Sequence, residues 1–159
     1  MPLPIGAELP TLTEATEWIN AGDDRDKVSG KPTLVQFWAI SCPVCKHNMP
    51  KLQQFLETYQ EQGLQLISIH MPRGEADMNV GKVKAAIQEM EIEGPCAIDN
   101  NHTIGDRFQT GGVWPSYFLF DALRKLRSRA AGSLGIKMAE NSLKRLLELE
   151  DKSCIAPSR

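Results

Sequence analysis

Two cysteines stand two residues apart in the stretch FWAISCPVCKHNMP, Phe37 to Pro50. The spacing of Cys42 and Cys45 suits three chemistries: half of a zinc site, a dithiol redox couple, or haem attachment. Haem attachment needs His directly after the second Cys, and Lys46 occupies that position. Zinc needs four protein ligands, or three and a water. His47, His70 or Cys96 would have to complete such a set, and no second CxxC or HxxxH supplies the other half. No metal is therefore expected. A dithiol couple is the chemistry that the pair supports by itself.

The elements around the pair favour the same reading. Thr33–Ala39, TLVQFWA, is β-branched, aromatic and almost wholly apolar, which predicts a strand buried on both faces. From Pro43 the period changes. Cys45, Met49, Leu52, Phe55 or Leu56, and Tyr59 recur every three to four residues, predicting an amphipathic helix that ends at Gly63. Pro43 suits the first helical position, where its missing N–H costs nothing, and Cys42 becomes the N-cap. Cys42 then lies at the carboxyl edge of the sheet, where sites in open α/β folds are found. The helix N-terminus stabilises a thiolate there and lowers its pKa from about 8.5. Cys45, one turn on, lies beneath it. Cys42 reads as the attacking nucleophile and Cys45 as the resolving thiol.

Further strands are predicted at Leu64–Ile69, Cys96–Asp99, Ser116–Asp121 and Leu126–Ala130. A second helix is marked by Val80, Val83, Ile87 and Met90, and a closing helix by Leu143, Leu146 and Leu147, running to about Glu150. The order β-α-β-α-β followed by β-β-α predicts an α/β domain with a mixed sheet and helices on both faces. Residues 1–32, rich in Pro, Gly and Asp, read as an irregular extension with a short helix at Ala15–Ile19. Residues 33–150 read as the domain, and 151–159 as a flexible tail.

The chain has 159 residues, 42% of them hydrophobic, and a net charge of −2. That is ordinary globular composition, sufficient for one core, with no electrostatic case for nucleic acid or an anionic membrane. No apolar run approaches the roughly 18–20 residues that cross a bilayer. The first twenty residues lack the basic start and apolar core of a secretory signal, so a cytoplasmic location is expected, with an extracytoplasmic, tethered one as the alternative if a leader was removed.

VQFWAISCPVCKHNMPKLQQF, together with GVWPSYFLFD, resembles the thioredoxin superfamily and most of all its TlpA/ResA-type thiol–disulfide oxidoreductases. The likeness spans about Lys31 to Leu147. It rests on the FWA strand, CxxC, a helix Pro five residues after the second Cys, and X-Pro-Ser before a strand. LISIHMPRGEADMNVGKVKAAI further resembles the DipZ and NHL-repeat-containing branch, with its His after the second strand, a helical insertion, and Trp before the family Pro.

The resemblance implies a thioredoxin-like fold with a helical insertion after the second core strand. It implies a Cys42–Cys45 dithiol as the redox centre, with no other cofactor. It makes Pro115 a cis-proline, and Trp38, Pro43, Val44, Trp114 and Pro115 the surroundings of the substrate. The partners expected are protein thiols and disulfides and an upstream electron donor, met by a monomer. Two positions depart from the pattern: Gln36 stands where thioredoxins keep a buried Asp, and Asn48 where ResA-type proteins keep a Glu. Water, His70 as a candidate relay, or another group must then take the proton of Cys45, or the reaction is slower. The pair Pro43-Val44 differs from the Gly-Pro of thioredoxin and leaves the direction of electron flow open. The alternatives are a thiol peroxidase, which uses T-x-x-C where this chain has Ala39-Ile40-Ser41-Cys42, and a copper-delivery module, which uses CxxxC with a distal His.

The other candidates read as structural. His47 faces solvent, His102 is a loop residue without a ligand to hold, Cys96 packs as a small hydrophobe, and Cys154 lies in the tail. Lys125, Arg127 and Arg129 alternate along the last strand as charges that discourage edge pairing.

Overall fold

The computed structural model describes residues 3–20 and 30–155, with side chains as far as Leu149. The strands are Glu17–Ile19 (β1), Thr33–Trp38 (β2), Gln65–His70 (β3), Cys96–Ile98 (β4), Ser116–Phe120 (β5) and Leu126–Ala131 (β6). The helices are Pro43–Thr58 (α1), Val80–Glu89 (α2), Thr103–Phe108 (α3) and Gly135–Ile155 (α4), with a short 3-10 turn at Glu75–Met78 before α2. All six strands form one sheet in the order β1-β4-β3-β2-β5-β6. β2, β3 and β4 run parallel, and β5, β6 and β1 are antiparallel to their neighbours. The expected mixed sheet flanked by helices is present.

Alternation along β2 divides the core into two layers. Leu34 and Trp38 face α1, α2 and α4, and join Met49, Leu52, Val83, Ile87 and Leu143. Val35 and Phe37 face the opposite side with Ile104 and Phe108 of α3 and Leu3, Leu9 and Leu12. Phe108 stands edge-on to Phe37, Phe118 and Phe120 at 5.1, 5.1 and 6.0 Å between ring centres. Such pairs add about 0.5–1.5 kcal/mol each beyond their area.

Several elements differ from the sequence reading. The short helix expected at Ala15–Ile19 is instead the strand β1, pairing Trp18 with Ala97 of β4. Thr16 prepares it, donating both its backbone N–H and its hydroxyl to the Ile98 carbonyl. Edge pairing overrides the weak helical pattern there, and Leu3, Leu9 and Leu12 make the segment part of the core rather than an irregular appendage. α1 stops at Thr58, where the Tyr59 N–H caps Phe55 and Glu57 carbonyls. Tyr59 is buried on the same face, so the apolar period outlasts the helix, and Gly63 then turns the chain at φ +84°. α3 is an element that the sequence reading passes over. α4 runs to Ile155, so 151–155 is helical and Cys154 falls in its final turn. The expectations for residues 21–29 and 156–159 lie outside the described residues.

Helix α4 begins against a ring. A Cβ on Gly135 would stand 2.5 and 2.6 Å from Cδ2 and Cε2 of the buried Tyr117. Gly135→Ala therefore overpacks the α4–β5 contact and is expected to cost about 1–3 kcal/mol. A lower urea midpoint at unchanged slope checks this; an unaltered midpoint would mean that the ring has room to yield.

Candidate active site

Cys42 leaves β2 in extended conformation (φ −93°, ψ 106°) and caps α1: its Sγ accepts the Cys45 N–H at 3.1 Å. Pro43 follows at the first helical position. The two cysteines are joined by a disulfide with Cα atoms 5.3 Å apart. They are 3% and 1% exposed, whereas Pro43 and Val44 beside them are open, Val44 at 37%. The first turn of α1 carries no acidic residue. Nothing there opposes the partial positive charge with which unpaired helical N–H groups favour an anion.

The two positions at which a carboxylate would be expected are buried and neutral. Gln36 donates its Nε2–H to Ser68 Oγ at 2.8 Å, across the β2–β3 pair. Asn48, one turn after Cys45, donates its Nδ2–H to the Tyr117 hydroxyl at 3.0 Å and to the Gly132 carbonyl at 3.1 Å. Burial pushes the Tyr117 phenol up to about 12, so it stays protonated.

The segment leaving β3 ties the surrounding loops together. His70 is wholly buried, its Nε2 accepting the Ile40 N–H at 3.1 Å. Its ring meets Trp38 edge-on at 4.9 Å. Burial holds the imidazole down to about 4 against the opposing pull of Asp77. A neutral ring that accepts at Nε2 carries its proton on Nδ1, and that nitrogen has no partner among the described residues. The Met71 carbonyl receives the Trp114 indole N–H at 2.7 Å, and the Pro72 carbonyl receives His102 Nε2–H at 2.7 Å. Arg73 Nη1 donates to the Ser41 carbonyl at 2.7 Å. Asp77 Oδ2 accepts both the Ser41 hydroxyl at 2.6 Å and the Arg73 amide at 2.9 Å.

The peptide bond between Trp114 and Pro115 is cis. Trp38, Cys42 and Cys45 share one buried cluster, with Trp114 packed against it. Val113, the residue before Trp114, is 45% exposed. Several expectations change. His70 is a buried strand residue, because β3 continues one residue further than predicted. His102 has a partner in Pro72. Cys96 is buried in β4 as expected, and burial lifts its thiol to about 12 against the pull of the Trp38 indole N–H and the His70 backbone. Lys125 and Arg127 pair with Glu8 and Asp121, and Arg129 donates to the Leu3 carbonyl, so the stripe fastens the N-terminal segment as well as charging an edge. Ser41, Arg73 and Asp77 were not singled out in the sequence. Their only signal is a compact charged insertion directly after a buried strand.

A cysteine pair bridging the N-cap and first turn of α1, at the carboxyl edge of this sheet, defines a thiol–disulfide oxidoreductase of thioredoxin-like fold. The chain belongs to the AhpC/TSA family, whose description matches residues 5–129. It is 40% identical to the thiol-disulfide oxidoreductase YkuV of Bacillus subtilis, over 87% of this chain and 93% of that one. It is 28% identical to the protein DipZ of Mycobacterium tuberculosis, over 87% of this chain and 20% of the much longer relative. The solution structure of a thioredoxin-like protein in the oxidized form superposes with a TM-score of 0.80 at 37% identity, covering 92% of this chain and 98% of that one. Among the described residues no helix is long and apolar enough to cross a membrane.

Proposed function

We propose that this enzyme, acting as a monomer, reduces or exchanges disulfides in other proteins through Cys42 and Cys45. The Cys42 thiolate attacks one sulfur of the target disulfide, whose other sulfur leaves as a thiolate and takes up a proton. Cys45 then loses its proton and attacks Cys42 Sγ, releasing the second target thiol and closing the Cys42–Cys45 disulfide. The target gains two electrons and two protons; an upstream dithiol restores them to the pair. The disulfide at the N-cap of α1 is the observation that carries this reading. Exposed Pro43 and Val44 on one side, with Val113, Trp114 and cis Pro115 on the other, form the edges against which a target segment rests. With Nε2 committed to Ile40 and the proton on Nδ1, His70 has no lone pair to offer. We assign it to holding the turn before Cys42 rather than to relaying the Cys45 proton, which passes to solvent.

Insulin reduction with dithiothreitol as donor tests the reading. The protein is expected to accelerate it, and Cys42→Ser is expected to fall to the rate of dithiothreitol alone. A wild-type protein no faster than dithiothreitol would overturn it, and peroxide consumption that survives loss of Cys45 would favour the thiol peroxidase. The reduction potential gives the direction: about −270 mV suits a reductase in a reducing compartment, and about −120 mV an oxidant outside it.

A further inference from the structure

We propose that Arg73 is a further positioning residue of the dithiol site, holding the Ser41–Cys42 peptide and supplying charge that favours the Cys42 thiolate. The inference rests on the reading of Cys42 as the attacking sulfur. The guanidinium of Arg73 donates to the carbonyl of Ser41, the oxygen of the peptide that leads directly into Cys42. A carbonyl is neutral, so this bond positions the guanidinium without cancelling its charge. Arg73 enters no salt bridge among the described residues. Its backbone is fixed as well. The buried Asp77 carboxylate holds the Arg73 amide and the Ser41 hydroxyl on one oxygen, so the two residues form a closed clamp.

The other charged or titratable groups near Cys42 are few. On α1, Lys46 and His47 are exposed. His70, the last residue of β3, is held neutral by the Ile40 N–H; on the segment that follows, the Asp77 carboxylate opposes the thiolate and Glu75 is exposed. The loop from Gln109 to Ser116 carries no charged side chain. With Gln36 and Asn48 neutral beneath the pair, Arg73 is the cation fastened to the turn that carries Cys42. A positive charge stabilises the thiolate and hence the reduced pair, so its removal moves the equilibrium toward the disulfide, whatever Asp77 contributes.

The experiment equilibrates wild type, Arg73→Gln and Arg73→Lys with glutathione buffers at low and high salt, and titrates the Cys42 thiolate by its ultraviolet absorbance. Arg73→Gln is expected to shift the equilibrium roughly three-fold toward the disulfide at low salt, the size of a partly solvated charge interaction. Its thiol is expected to titrate at higher pH, and the difference to shrink in about 1 M salt. Arg73→Lys recovers the wild-type equilibrium, because lysine keeps the charge. Equal equilibria and titrations in wild type and Arg73→Gln would overturn the proposal. So would a shift that ignores salt and that lysine does not recover, since that is the signature of geometry alone. The wild type's own drift toward the disulfide with salt tests the charge even if Arg73→Gln fails to fold. A wild type with no two-electron transition would instead bring down the oxidoreductase reading itself.

Discussion

Cys45→Ser is expected to stop turnover and leave Cys42 covalently joined to its target. Both sulfurs are buried, but Cys42 stands at the N-cap next to exposed Pro43 and Val44, whereas Cys45 lies one turn further inside. An incoming disulfide therefore meets Cys42 first. Its release depends on an internal attack by Cys45, which needs no second encounter and no reorientation. With serine there, resolution falls to a thiol arriving from solution, slower by at least about 10³-fold at millimolar concentrations. Mass spectrometry of the variant with a disulfide-bearing target should find the adduct on Cys42, and Cys42→Ser should form none. An adduct on Cys45 in Cys42→Ser would reverse the two roles.

The second large effect is on stability in acid. His70 is wholly buried, and its Nε2 must stay unprotonated to accept the Ile40 N–H. Burial lowers its pKa from 6.5 to about 4 in the folded chain. The unfolded chain thus binds the proton first as pH falls, and unfolding is favoured increasingly between pH 6.5 and about 4. At 1.36 kcal/mol per unit, this one ring removes about 3 kcal/mol of stability across that window. His70→Leu should cost about 1–3 kcal/mol at neutral pH, because the Ile40 amide loses its acceptor. It should also flatten the acid slope. Urea midpoints from pH 7 to 4 check both points, and parallel slopes for the two proteins would contradict the assignment.

Much of the frame was legible because local pattern and burial agree. TLVQFW is apolar on both faces and is buried on both, and the change of period at Pro43 marks the start of α1. The cis bond at Pro115 came from resemblance, since no local pattern specifies it. What was not legible depends on partners far off in sequence. β1 is a strand because β4 offers it an edge, Ala97 lying 79 residues beyond Trp18, and EATEWIN contains no such information. The Arg73–Ser41–Asp77 clamp joins residues up to 36 positions apart. The same holds for His70, whose burial is set by Trp38 and Ile40. Sequence spacing identifies the sulfurs, but the groups that tune them are gathered by topology.

The seating of the N-terminal segment bears on how the molecule behaves in a crowd. β4 is only three residues long and would otherwise border solvent with its backbone donors and acceptors open to any extended chain. β1 occupies that rim, while Leu3, Leu9 and Leu12 roof the layer beneath and Arg129 and Lys125 fasten the same segment at the far margin. One stretch of chain thus spans the sheet like a belt, buckled at both sides. Solubility and fold integrity are in this way vested in residues remote from the sulfur chemistry, and the cysteine-bearing edge is left as the side on which another protein can settle.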